Sequence, residues 1–188
     1  MKAKSLLRKK MRKVINSATR AEVDIASEKV CFHLTQNQEL LQKTSTIAIY
    51  SAYGNEVDLQ ALHGLLPDKV LTYPLCHPDS RLSFHNVPRP GSLISGAFGI
   101  LEPSPAQHTE VSVENIDLFL CPGLAFTLSG IRLGQGKGFY DRALERKKTS
   151  AKIVGVAMAR QILDDIPREN HDLDMDYILT DEGLYQVG

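Results

Sequence analysis

Short apolar runs alternate with helical patterns along this chain, and that alternation predicts an α/β fold with a mostly parallel sheet. Three observations carry the prediction. Residues 46–51 (TIAIYS), 117–121 and 153–157 are apolar throughout or nearly so, as strands buried on both faces are. Helical periodicities lie between such runs. No internal repeat and no linker-like stretch breaks the series, so residues 1–188 are expected to form a single domain. Helices on both faces of the sheet would give a Rossmann-like three-layer arrangement. The 188 residues, 43% hydrophobic, suffice for a substantial core.

From residue 2 to 14 the pattern is helical and strongly basic, with Leu6, Leu7, Met11, Val14 and Ile15 at helical spacing. Lys4 and Arg8 stand four apart and share one face. Residue types alone favour a solvated basic face, or an arm that attracts nucleic acid, over a helix that delivers these cations to a phosphate. A second helix begins near Thr19, where Thr19 and Glu22 fit a capping box. It is expected to reach Leu41, with Val23, Ala26, Val30 and Leu34 inward. Residues 46–51 form the first strand. Asp58 is placed to cap a short helix through Leu66. Residues 69–73 form a second strand, stopped by Pro74. Residues 81–85 alternate like a half-exposed strand. Residues 88–105 are rich in Pro and Gly and read as a long loop, a kind of segment that tends to be functional. Residues 117–121 are a third buried run. A helix over 138–147, a strand over 153–157, a short helix over 160–163 and a strand over 177–180 complete the order.

Composition narrows the function classes. Lys and Arg number 22, as do Asp and Glu, so bulk charge gives no pull toward nucleic acid or membrane. No run approaches the roughly 18 apolar residues of a membrane span. The basic start has no apolar segment after it, unlike a secretory signal. Cys31, Cys76 and Cys121 are far apart and form no C-x-x-C, which fits reduced thiols in a reducing compartment. The histidines show no zinc-ligand spacing. A cytoplasmic monomer is the expectation.

The densest chemistry lies in residues 132–142, RLGQGKGFYDR, after the lead-in CPGLAFTLSGI from Cys121. Gly134, Gly136 and Gly138 alternate, which lets the backbone take positive φ and approach a bulky ligand. Successive N–H groups in such a turn make a nest for an anion. Arg132, Lys137 and Arg142 supply forks and a point charge for phosphate oxygens. Asp141 ends the loop where a phosphate-bound Mg²⁺ takes a ligand. The pattern is neither the dinucleotide fingerprint nor the P-loop. In a parallel α/β fold, ligands sit outside the carboxyl ends of strands. Residues 50–56, 73–77 and the glycine loop all fall there, and are expected to converge on one crevice.

The run PGLAFTLSGIRLGQGKGFYDR resembles the main motif of the 5-formyltetrahydrofolate cyclo-ligase family, also called methenyltetrahydrofolate synthetases. KSLLRKKMR from Lys4, YSAYGNEVD from Tyr50, FGILEP from Phe98 and PRENHD from Pro167 resemble further motifs of that family, in the same order. The resemblance implies an enzyme that cyclises 5-formyltetrahydrofolate to 5,10-methenyltetrahydrofolate. ATP is its co-substrate and Mg²⁺ its cofactor, ADP and phosphate are released, and the route runs through a phosphorylated formyl group. It implies no nucleic-acid and no membrane partner.

The resemblance also implies roles, including one for Lys4 and Arg8 at the ATP phosphates that reverses the reading from residue types. Arg132, Leu133, Gly134, Gln135, Gly136, Lys137, Gly138, Phe139 and Tyr140 would form the ATP site. Arg132, Lys137 and Glu56 would be catalytic. Glu56 and Tyr50 would bind the folate, with Phe139 and Tyr140 as further candidates for the pterin wall. Asp141 and Asp172 would hold Mg²⁺. Two positions depart from the family pattern: Thr127 stands where many relatives have Asp, and Phe139 where Tyr is frequent. Two other readings stay open: a non-catalytic nucleotide- or RNA-binding module of the same fold, and a kinase that releases a stable phosphorylated product.

Overall fold

A computed structural model of the chain describes residues 2–96, 99–169 and 172–188. Phe98 of the FGILEP motif, and Asn170 and His171 of PRENHD, lie outside them. Among the described residues the main sheet has the strand order β12-β11-β10-β7-β1-β2-β3-β6. Five central strands are parallel: β1 (Thr46–Ala48), β2 (Val70–Cys76), β7 (Leu118–Pro122), β10 (Lys152–Val156) and β11 (Tyr177–Thr180). Antiparallel strands close both edges: β12 (Gly183–Gln186) beside β11, and β3 (Leu82–Asn86) with β6 (Glu110–Val111) beside β2. The mostly parallel α/β prediction holds. The chain moves from β1 to β2 on one side and returns to β7 on the other, so the topological switch point lies between β1 and β7. Ligands bind at such a point.

Side-chain alternation sorts the core into two layers. Ile47, Ile49, Leu118, Leu120, Val154 and Val156 point to one face. That face is covered by α1 (Lys2–Asn16), α2 (Arg20–Gln36), α3 (Gln38–Gln42) and α4 (Leu62–Leu65). Ala48, Phe119, Cys121 and Ile153 point to the other face, where α5 (Phe139–Leu144) contributes Ala143 and Leu144. The three layers are therefore uneven, with α5 the single α-helix on the second face among the described residues.

The capping box at Thr19 and Glu22 is present, with the Thr19 N–H donating to Glu22 Oε2 at 2.7 Å. The helix it starts does not reach Leu41. Asn37 leaves the helical conformation, and its side chain accepts from the Leu40 N–H at 2.9 Å, so it ends α2 and caps α3. Pro74 does not stop the second strand, which runs to Cys76. Val70 and Thr72 turn their main-chain groups toward β1, through Val70 N to Ser45 O and Ile49 N to Thr72 O. Two residues on, Pro74 faces the same side, where β1 has already ended, so its missing N–H interrupts no ladder.

The strand over 81–85 is buried rather than half-exposed, because β6 and the segment before it cover its far side. Asp58 caps a turn, accepting from Gln60 N at 2.9 Å, and α4 starts only at Leu62. The 88–105 stretch is not all loop: it carries a hairpin of β4 (Ile94–Ser95) and β5 (Leu101–Glu102). A second small hairpin, β8 (Ala125–Phe126) with β9 (Arg132–Leu133), leads into the glycine loop. The helix expected over 138–147 is shorter, and the one over 160–163 is a 3-10 turn at Ala159–Gln161.

Candidate active site

The glycine loop leaves β9 beside the switch point. Gly136 has φ +97° and Gly138 has φ +66°, a left-handed region that side chains disfavour. Gly136 is also tightly faced: a Cβ there would stand 3.1 Å from Arg8 Cζ.

The basic helix α1 lies along this loop. Arg8 Nε donates to Gly134 O at 3.0 Å, and Arg12 Nη2 donates to Gln135 Oε1 at 2.9 Å. Lys4, one turn earlier, is almost fully buried at 5% exposure. It pairs with Asp172 Oδ2 at 2.6 Å and Glu169 Oε2 at 3.1 Å. A solvated basic face would not bury a lysine, because desolvating an ammonium requires a partner. The inner face of α1 thus serves the loop and the 169–172 segment, while Lys9, Lys10 and Lys13 face solvent.

Arg132 sits beneath the loop with its side chain 7% exposed. Its Nη2 donates to Asp141 Oδ1 at 2.8 Å, and its Nη1 to Pro122 O at 3.3 Å. The guanidinium lies 5.5 Å from the centre of the Tyr140 ring. Arg132 Nε and the Tyr140 hydroxyl are buried without a hydrogen-bond partner. An unsatisfied buried donor costs on the order of 1–3 kcal/mol. A ligand acceptor placed against these two groups removes that cost.

Across the switch point, residues 50–56 follow β1. The Tyr50 hydroxyl donates to Val57 O at 2.9 Å, so Tyr50 contributes a buried wall rather than a free polar handle. Glu56 Oε2 accepts from the Tyr53 N–H at 3.0 Å. Burial outweighs that bond and pushes the Glu56 carboxyl up to about 7. Burial likewise holds the Tyr140 phenol well above its ordinary range, and the charge of Glu56 adds to the effect. The charge of Glu56 reaches Tyr140, whose ring lies 5.5 Å from the Arg132 guanidinium, so the 50–56 loop and the glycine loop after β9 face one crevice. Residues 73–76, expected beyond the second strand, are part of β2 itself. They still border the site, since the Cys76 thiol feels the charge of Lys137.

Leu133 is buried under the loop, and Phe139 packs against the core on the α5 face. Gln135 and Lys137 are exposed. Asp141 and Asp172 are each paired with a cation, through Arg132 and Lys4. Among the described residues no group of three or more His, Cys, Asp or Glu could hold a metal. Two separate carboxylates do not form a cage, yet they fit Mg²⁺ carried by a nucleotide. That ion takes one or two protein carboxylates and completes its shell with phosphate oxygens and water.

Thr127, at the departure from the family pattern, is buried and structural. Its Oγ1 accepts from Ile131 N at 3.1 Å and lies 2.8 Å from Ser129 Oγ, fixing the β8–β9 turn. Three supporting residues went unread in the sequence. Arg12 has a signal, standing four residues after Arg8. Asn55 ties the 50–56 loop to the end of α1, donating to Ile15 O at 3.2 Å and Ala18 O at 2.8 Å. Gln161 props the start of the β7–β8 turn, donating to Gly123 O at 2.9 Å. Neither of these two has a local sequence signal.

Comparison with known proteins agrees with this geometry. The profile of the 5-formyltetrahydrofolate cyclo-ligase family matches residues 1–181. The 5-formyltetrahydrofolate cyclo-ligase of Mycolicibacterium smegmatis is 41% identical over 92 residues, a match that spans 49% of this chain and 47% of that protein. The enzyme of the same name from Haemophilus influenzae is 29% identical over 93% of this chain and 95% of its own. The solution structure of Aquifex aeolicus 5,10-methenyltetrahydrofolate synthetase superposes with a TM-score of 0.86 at 36% identity, covering 98% of this chain and 92% of that one. A profile match over nearly the whole length, on a site of this construction, places the chain in the 5-formyltetrahydrofolate cyclo-ligase family of enzymes.

Proposed function

We propose that this chain, acting as a single-domain cytoplasmic monomer, cyclises 5-formyltetrahydrofolate to 5,10-methenyltetrahydrofolate at the expense of ATP. An N-formyl oxygen is a poor leaving group. Transfer of the γ-phosphoryl group to that oxygen gives ADP and an iminium phosphate at N5. The folate N10 attacks the formyl carbon, N10 loses its proton, and the C–O bond to phosphate breaks. Phosphoryl transfer asks for positioning and charge neutralisation rather than an enzyme nucleophile.

The chain's residues divide these tasks. Lys4, Arg8, Arg132, Lys137 and the backbone of residues 134–138 hold the triphosphate. Arg132 stands where negative charge develops on the transferring group. Asp141 and Asp172 would hold Mg²⁺, which would neutralise phosphate oxygens. Glu56 orients the folate N–H groups and N10, with Tyr50 and Tyr140 as walls. The observation that carries this reading is the pair of orphaned buried donors at the glycine loop, Arg132 Nε and the Tyr140 hydroxyl.

The test is one cuvette. Methenyltetrahydrofolate absorbs in the near ultraviolet where the formyl compound does not. ATP, Mg²⁺ and 5-formyltetrahydrofolate should together give that absorbance with one free phosphate per turnover. Nucleotide or RNA binding without any absorbance change would favour a non-catalytic module. Turnover without free phosphate would favour a kinase.

A further inference from the structure

The two arginines of the glycine-loop motif are used differently. Arg132 is buried and keeps a donor unpartnered. Arg142 is exposed on α5, and its Nη2 is spent on two main-chain carbonyls. It donates to Lys137 O at 2.7 Å and to Ser80 O at 2.9 Å. The guanidinium also presses on Gly138, where a Cβ would stand 2.8 Å from Arg142 Nη1.

The far end of this contact is unusual too. Ser80 lies in the turn between β2 and β3, which closes through His77 N to Arg81 O at 2.9 Å and Ser80 N to His77 O at 3.0 Å. It has φ +63° and is the one non-glycine residue with positive φ among the described residues. Such a conformation persists where the surroundings impose it. Here it presents the Ser80 carbonyl to Arg142.

We propose that Arg142 is a positioning residue: it pins the main chain of Lys137 to the β2–β3 turn, and so sets where the Lys137 ammonium stands over the triphosphate. A second observation agrees. Lys137 is close enough to the end of β2 for its charge to draw the Cys76 thiol downward, against the burial that holds it near 12. The β2–β3 turn thus acts as a fixed post for a loop that glycines would otherwise leave loose. With both carbonyls held, Arg142 Nη2 is committed to main chain, whereas buried Arg132 keeps an unpartnered Nε. The inference rests on the reading of residues 132–138 as a triphosphate cradle.

The test uses the full chain and a non-hydrolysable MgATP analogue, with affinity read by calorimetry and turnover read separately by absorbance. R142A should weaken analogue binding about tenfold. Affinity for 5-formyltetrahydrofolate should stay within about twofold, and the melting midpoint should move little. R142K should recover part of the loss, because an ammonium still reaches one carbonyl. The double variant K137A/R142A should bind no more weakly than K137A alone, since Arg142 acts through Lys137. Losses that multiply in the double variant would show Arg142 on the phosphate itself and overturn the proposal. So would R142A binding at wild-type affinity, or losing both ligands equally along with its melting midpoint. A wild type that binds the analogue but does not cyclise would sink the proposed activity and leave the role of Arg142 standing.

Discussion

The glycine loop after β9 and the loop after β1 border the same crevice, yet they are held in opposite ways. The glycine loop is a polar construction, clasped by Arg8 and Arg12 from α1, by Arg142 from α5 and by Arg132 beneath. Almost every tie is a cation on a carbonyl or carboxylate. The 50–56 loop is held by burial and by neutral bonds: Tyr50 to Val57 O, and Asn55 to the end of α1. Its one charge-bearing group, Glu56, pays for that setting with a raised pKa. One side stores positive charge for a polyanion, and the other keeps a carboxylate at the edge of protonation. This division suits a reaction that brings a triphosphate to a neutral amide and then requires an amine to lose a proton.

The contrast breaks most clearly at Arg132. Arg132→Ala removes the buried fork and leaves Asp141 without its partner. It should cut kcat/KM by about two to three orders of magnitude and lower the melting midpoint. Turnover within a few-fold of wild type would place the transferring phosphoryl group elsewhere.

Glu56→Gln tests the opposite side and should cost about a hundredfold in cyclisation, through lost orientation of N10, with MgATP binding unchanged. It also has a pH signature. The folded state holds a proton on Glu56 up to about 7, whereas the ordinary carboxyl value is 4.5. The stability this contributes is complete below the ordinary value and is lost as pH rises toward 7, by at most about 3 kcal/mol. Glutamine does not titrate. The melting midpoint of the variant should therefore gain on that of the wild type between pH 5 and 8. A constant difference would mean that Glu56 is ionised throughout.

Arg8→Ala sharpens the polar side. It should raise KM for MgATP about tenfold or more, the scale of one charge-assisted contact, with KM for the folate unmoved. Asp141→Asn should shift the Mg²⁺ concentration for half-maximal rate upward several-fold. An unchanged Mg²⁺ response would confine Asp141 to orienting Arg132. The smallest effect belongs to Asn55→Ala, which loses two bonds to α1. The expected cost is about 1–2 kcal/mol, or roughly 2–8 °C in melting midpoint, with nucleotide affinity unchanged.

The same division governs what could be read in advance. The glycine loop was legible because its chemistry is local: the glycines, the cations and Asp141 fall within eleven consecutive residues. The fold class was legible, since apolar runs separated by helical patterns point to a mostly parallel sheet, but the strand order was not. Pro74 and Asn37 misled for a shared reason. A proline's effect depends on whether a neighbouring strand faces it, and an asparagine inside a helical pattern depends on which helix its side chain caps. The state of Glu56 was out of reach, because its burial arises where loops from separate parts of the chain meet. Lys4 was misjudged on residue type, since the partners that bury it, Asp172 and Glu169, are 168 and 165 residues away.

That separation has a consequence for synthesis. Lys4 lies in α1, while the carboxylates that bury it are made 165 and 168 residues later. At about 5–20 residues per second, on the order of 10–30 s pass between the two. During that interval α1 is an amphipathic segment rich in lysine and arginine, with its inner cations facing no acidic partner. β1, β2, β7 and β10 precede those carboxylates in the chain, whereas β11 and β12 follow them. The inner face of α1 is thus completed late, together with the β11–β12 edge of the sheet, and pairing of the earlier strands should be separable in time from burial of Lys4 on a stalled nascent chain.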